Sequence, residues 1–219
     1  MQQLAVMMLN YKEETMITLY SLKQSRSQRI VWLLAELGVP FEVKSFEREP
    51  VTRLAPPIFK TLHPLGKAPV LADNDFVLAE SAAIVEYLIA KYGNGQLTPS
   101  KDTPDYYRYL QWLHYAEGSI MPAIVQKMLA TDGAKLDHFN SQVALHLDYV
   151  EQHLRDRKWF CGEQLTGADI MMSFPLQVAM FLLPEETYPN IARFVEQVEH
   201  HPSYRKAIEK VGHLDLHLL

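Results

Sequence analysis

Two short segments of this chain combine residue types that could seat a small acidic peptide. Gly66-Lys67-Ala68-Pro69-Val70 puts a proline at the head of an apolar run. Proline gives no N–H to a sheet ladder, so it marks an edge, a bulge or a cis bond. Glu80-Ser81-Ala82-Ala83-Ile84 puts an acid and a serine at the head of a run with helical apolar spacing. That pattern reads as a helix N-terminus, where free backbone N–H groups and the helix dipole favour negative charge. An extended peptide could pair with backbone beside Pro69 and lodge a carboxylate near Ser81. A third residue, Ser25, follows a strand-like run and stands at the mouth of the next helix. Serine is also a favoured helix cap at such a position.

The elements that must position these residues are legible from periodicity. Met16 to Leu22 is a β-rich run and reads as the first strand. Ser25-Arg26-Ser27 opens a helix whose spacing is kept by Ile30, Leu33, Leu34 and Leu37 and which Gly38 closes. Phe41, Val43 and Phe46 mark a second strand. Pro56-Pro57 begin a short helix that ends before His63-Pro64. Val70-Leu71-Ala72 and Phe76-Val77-Leu78, joined by Asp73-Asn74-Asp75, make a hairpin. Ile84, Val85, Leu88 and Ile89 form the apolar face of a third helix, stopped by Gly93. The order β-α-β-α-β-β-α, parallel first and antiparallel at the hairpin, is a thioredoxin-like plan.

Gly93-Asn94-Gly95 through Thr98-Pro99-Ser100 is turn chemistry and reads as a linker. Helical patterns follow it: a long helix from Tyr106, Leu110 and Leu113 with a kink expected at Pro122, then stripes at Val143, Leu147, Val150 and Leu154 and at Ile191, Phe194, Val195 and Val198. Pro202 starts a last helix through Tyr204, Ala207 and Ile208. In Leu165-Thr166-Gly167-Ala168-Asp169-Ile170, Thr166 is a good N-cap and Asp169 can reach back to its N–H. The expected division is an N-terminal extension over 1–15, a thioredoxin-like domain over 16–93, a linker over 94–103 and an all-helical domain over 104–219.

Composition narrows the function. Length suffices for a buried core, and hydrophobic and charged fractions of 48% and 21% are ordinary for a globular protein. A net charge of −5 with no basic run argues against nucleic acid. No apolar run approaches the roughly 20 residues that span a bilayer. The one cysteine, Cys161, can form neither an internal disulfide nor a C-x-x-C motif, which suits a reducing cytoplasm. His213 and His217, and the adjacent His200-His201, lack acidic or cysteine partners at ligand spacing, so no metal is expected.

With this element order around them, Lys67, Ala68, Pro69, Glu80 and Ser81 resemble the glutathione site of the cytosolic glutathione S-transferases, over a span from about Met16 to Lys210. Ser25-Arg26-Ser27-Gln28-Arg29 is similar to the serine-using theta- and delta-like branches of that family. The resemblance implies glutathione as co-substrate, with the backbone of Ala68 pairing its cysteinyl part. Glu80 would attract the γ-glutamyl ammonium, Ser81 its carboxylate, and Lys67 the glycyl carboxylate. Ser25 would donate a hydrogen bond to the sulfur, which with the helix N-terminus favours the thiolate. Tyr20, near the end of the first strand, is the rival activator; a strand tyrosine is also ordinary packing. Arg26 and Arg29 either contact glutathione or brace the two halves.

The reaction implied is conjugation of the glutathione thiolate to a small hydrophobic electrophile by a cytoplasmic homodimer. Leu22, Trp112, Tyr115, Met121 and Met128 are candidates for the electrophile site, with core packing as the alternative. Glutathione-dependent peroxide reduction on the same site and a non-catalytic interaction module are the other functions such a chain could serve.

Overall fold

The computed structural model describes residues 17–131, 133–183 and 187–213. The expected N-terminal extension, Met16 of the first strand, and the tail beyond His213 with His217 lie outside the described residues.

Four strands form one mixed sheet in the order β2-β1-β3-β4. β1 (Ile17–Leu22) runs parallel to β2 (Phe41–Phe46) and antiparallel to β3 (Val70–Asp73), which pairs with β4 (Phe76–Ala79) as a hairpin. Strand alternation sorts the side chains between two faces. Ile17, Leu19 and Leu71 enter the main core, while Leu22 and Val70 form a smaller cluster with Phe59, against which Tyr20 packs. Phe59 comes from the short α2 (Ile58–Leu62). The main core is closed by α1 (Ser27–Leu37) and α3 (Ser81–Tyr92). Gly38 ends α1 at φ +65, the left-handed conformation that glycine adopts without a Cβ penalty.

The second half is helical: α4 (Pro104–Tyr115), α5 (Met121–Leu129), α6 (Gly133–Leu154), α7 (Gly167–Leu182), α8 (Pro189–Glu199) and α9 (Pro202–Val211). α7 is the central post, buried at every position from Gly167 to Ala179, and its buried polar residues Asp169, Ser173 and Gln177 are each hydrogen-bonded. Its first turn approaches its neighbours closely. A Cβ on Gly167 would lie 2.7 Å from Ile89 and 2.9 Å from Val85 of α3, and 2.8 Å from the Tyr109 hydroxyl of α4. α9 returns to the first half, where Trp32 of α1 meets Tyr204 edge-on at 5.4 Å and donates to Ser203 Oγ at 2.9 Å.

The expected kink at Pro122 takes a specific form. Between α4 and α5 the chain makes a π turn, Ala116–Ile120, in which the Met121 N–H reaches Ala116 O, five residues back. Pro122 has no N–H for the carbonyl of Gly118 four residues before it, so the α-helical ladder is already broken there and a wider turn is admitted.

The cap at Thr166 closes as its spacing predicts. Asp169 Oδ2 accepts from the Thr166 N–H and hydroxyl, each at 2.8 Å, and Oδ1 accepts from the Phe160 N–H at 2.7 Å. Burial pushes the Asp169 carboxyl up to about 6, against the pull of these donors. Replacing Thr166 with alanine removes one donor from a fully buried acid. Thr166→Ala should therefore destabilise the protein by about 1–2 kcal/mol and lower its melting temperature by roughly 2–8 °C. An unchanged melting curve would contradict this role.

Candidate functional site

Register brings the segments singled out in the sequence to one end of the sheet. β1 ends there at Leu22, two residues beyond Tyr20, which faces Val70 at the start of β3. Val70 in turn faces Ala79 at the end of β4. Pro69, just before β3, and Glu80-Ser81, just after β4, are therefore neighbours beside the loop that carries Ser25. The Ala68–Pro69 peptide is cis, one of the three outcomes expected of that proline.

Glu80 has φ +70, a region that costs a non-glycine residue about 1–3 kcal/mol. That backbone turns the chain sharply into α3, whose first residue, Ser81, is 4% exposed, whereas the Glu80 side chain is exposed. Lys67 is also exposed, and Ala68 is half-buried beside the small cluster under α2. This end of the sheet offers an acid, a base, a strand-like backbone and a helix N-terminus.

Ser25 is not the N-cap of α1, which is Arg26; it stands one residue before it in a local serine turn. Its hydroxyl donates to Leu22 O at 2.6 Å and accepts from the Ser27 N–H at 3.2 Å, with Ser27 Oγ 3.0 Å away. A hydroxyl has one proton to give, so donation to a sulfur requires the O–H to turn away from Leu22 O. Tyr20 is half-buried against the Leu22, Phe59 and Val70 cluster, with Lys44 Nζ 5.6 Å from its ring centroid.

Behind Ser25 and Ser81 lies a charge cluster. Arg29, 1% exposed, donates from Nη1 to Glu117 Oε1 at 2.6 Å and sits 3.5 Å from Ser81 Oγ. Arg26 Nε reaches both Glu117 oxygens, at 3.0 and 2.8 Å. Both guanidiniums also stack over Phe174 of α7, at 5.7 Å for Arg26 and 5.1 Å for Arg29. Burial lowers the Arg29 pKa to about 10, with Glu117 opposing, so it stays charged at neutral pH. Two cations share one carboxylate where two helices begin, an arrangement that favours a bound anion.

The sequence did not single out Glu117. Its signal was Gly118 and Pro122 four residues apart inside a helical pattern, which marks the π turn but not the direction of the side chain.

The candidates for an electrophile site do not form one lining. Leu22 belongs to the cluster under α2, while Trp112 and Met121 are in the main core, where Trp112 stacks on Tyr149 at 5.1 Å. Tyr115 bonds His146 Nδ1 at 2.5 Å, and Met128 is exposed. Core packing, the alternative weighed for them, describes Trp112 and Met121. Burial pushes the Cys161 thiol up to about 11, so it is not a thiolate at neutral pH. Among the described residues no three His, Cys, Asp or Glu side chains gather to hold a metal ion, and no helix is long and apolar enough to cross a membrane.

Known proteins match along this same frame. Residues 15–90 match the family described as Glutathione S-transferase, N-terminal domain, and residues 115–202 match Glutathione S-transferase, C-terminal domain. The chain is 38% identical over 215 residues to Glutathione S-transferase 3 of Schizosaccharomyces pombe, covering 90% of this chain and 88% of that protein. It is 29% identical over 223 residues to Glutathione S-transferase 1 of Saccharomyces cerevisiae, covering 89% and 94%. A solved glutathione S-transferase from Actinobacillus pleuropneumoniae superimposes with a TM-score of 0.84 at 45% identity, covering 92% of this chain and 95% of that one. The domain matches, the full-length relatives and the superimposed structure agree: the chain belongs to the glutathione S-transferase family.

Proposed function

We propose that this protein is a glutathione transferase that binds glutathione at the sheet end where Pro69, Glu80, Ser81 and Ser25 meet, and adds its thiolate to a small hydrophobic electrophile. The observation that carries the reading is strand register, which sets Pro69 beside Glu80-Ser81 at the end of the sheet where β1 runs on toward Ser25. Ala68 supplies backbone for the cysteinyl unit. Glu80, exposed, attracts the γ-glutamyl ammonium, and the N-terminus of α3 with Ser81 takes its carboxylate. Lys67 neutralises the glycyl carboxylate.

Ser25 carries the chemistry. Its O–H leaves Leu22 O and donates to the incoming sulfur, so the thiol releases its proton to solvent and the thiolate persists beside the start of α1. Holding this nucleophile against an electrophile converts an encounter in solution into a reaction between neighbours. The packing of Tyr20 against the cluster under α2 favours Ser25 over it. A homodimer in the cytoplasm fits the same reading, with α3 and α4 at the two-fold axis. Exposed Phe76 and Val77 on β4 and exposed Tyr107 on α4 are suited to burial there.

Ser25→Ala should lower kcat toward an activated aromatic halide by about 10–100-fold, the value of one hydrogen bond to a charged acceptor, and leave glutathione affinity nearly intact. Loss of affinity with unchanged turnover would sink the assignment. A rate with cumene hydroperoxide exceeding that with the halide would move the reading to peroxide reduction. Light scattering should give twice the chain mass, and a monomer would refute the dimer.

A further inference from the structure

Glu117 lies on the helical half, yet its carboxylate holds a residue at each end of the proposed glutathione site. It bonds Arg26, the residue after Ser25, directly, and through Arg29 it reaches Ser81. We propose that Glu117 and Arg29 are positioning residues for glutathione: the carboxylate on the π turn fixes the guanidiniums of Arg26 and Arg29, and Arg29 sets Ser81 and the first turn of α3 to receive the γ-glutamyl carboxylate. This rests on the transferase reading.

The geometry favours such a role over a brace alone. A brace is best made by well-packed apolar groups, because a buried ion pair often recovers no more than its desolvation cost. Here the chain buries a guanidinium and leaves part of it unspent. Arg29 Nε and Nη2 are buried and have no hydrogen-bond partner among the described residues. The other groups at Arg29 are Met171 Sδ at 3.8 Å and the Phe174 ring, neither of which neutralises it. The cluster therefore holds one net positive charge beside Ser81, and Glu117 fixes its direction. The π turn matters because it sets where Glu117 falls on the α4–α5 run, so the half expected to hold the electrophile also tunes the grip on glutathione.

The test uses the full-length protein, with initial rates over a glutathione series at saturating aromatic halide. Glu117→Gln should raise the KM for glutathione about tenfold while changing kcat at saturating glutathione less than about threefold. Glu117→Asp should recover part of the loss. Glu117→Gln lowers thermal stability too, so a paired variant, Glu117→Gln with Arg29→Met, removes the buried charge altogether. It should regain melting temperature yet keep the raised KM, a split that a purely structural pair would not produce. If Glu117→Gln fails to fold, the aspartate and paired variants carry the test. Wild-type KM in the paired variant overturns the inference alone. Wild-type protein that does not saturate with glutathione overturns the transferase reading and this inference with it.

Discussion

The constraint on which the site depends is a guanidinium carried into the seam between the two halves of the chain. Arg29 is held at 1% exposure, where an unpaired charge would be intolerable, so a carboxylate must come to it. Glu117 can do so because the helix run of the second half widens into a π turn ahead of Pro122. That contact fixes α1 against the helical half from one side, while α9 fixes it from the other through Trp32, Ser203 and Tyr204. α1 in turn presents Ser25 at its mouth and meets α3 at Ser81. The charge pair thus ties the start of α1, where Ser25 stands, to Ser81 of α3, whose place beside Pro69 register already sets.

A second buried charge is handled differently. Asp169 is enclosed within its own helix start and given backbone and hydroxyl donors from Thr166 and Phe160. Its partners are local, so it stabilises α7 without touching the site. Arg29 draws on side chains 52 and 88 residues away, so its satisfaction is a statement about tertiary placement. Local satisfaction builds a scaffold, and distant satisfaction couples segments that must act together.

This contrast explains what was legible in the sequence. Strand and helix periods gave the β-α-β-α-β-β-α order, since Leu19, Leu71, Ile84 and Leu88 alternate or recur as a buried face must. The Thr166–Asp169 cap was legible because its partners are three residues apart. Pro69 and Glu80-Ser81 were legible because turn and cap chemistry is local, although their meeting at one sheet end became visible only through register. The partnership of Arg26 and Arg29 with Glu117 was not legible, because no short-range rule links α1 to a residue far down the chain. Trp112 and Met121 illustrate the reverse limit: an aromatic or methionine on a helical stripe has the same spacing in a core as in a pocket, and here it is core.

The most direct test of glutathione activation at this sheet end is an ultraviolet difference spectrum of glutathione titrated onto the wild-type protein near neutral pH. The site described here predicts a saturable thiolate band, because the hydrogen bond from Ser25 and the N-terminus of α1 lower the cost of the anion. Titration with no saturable signal would contradict it and leave a family member whose cleft does not activate this thiol.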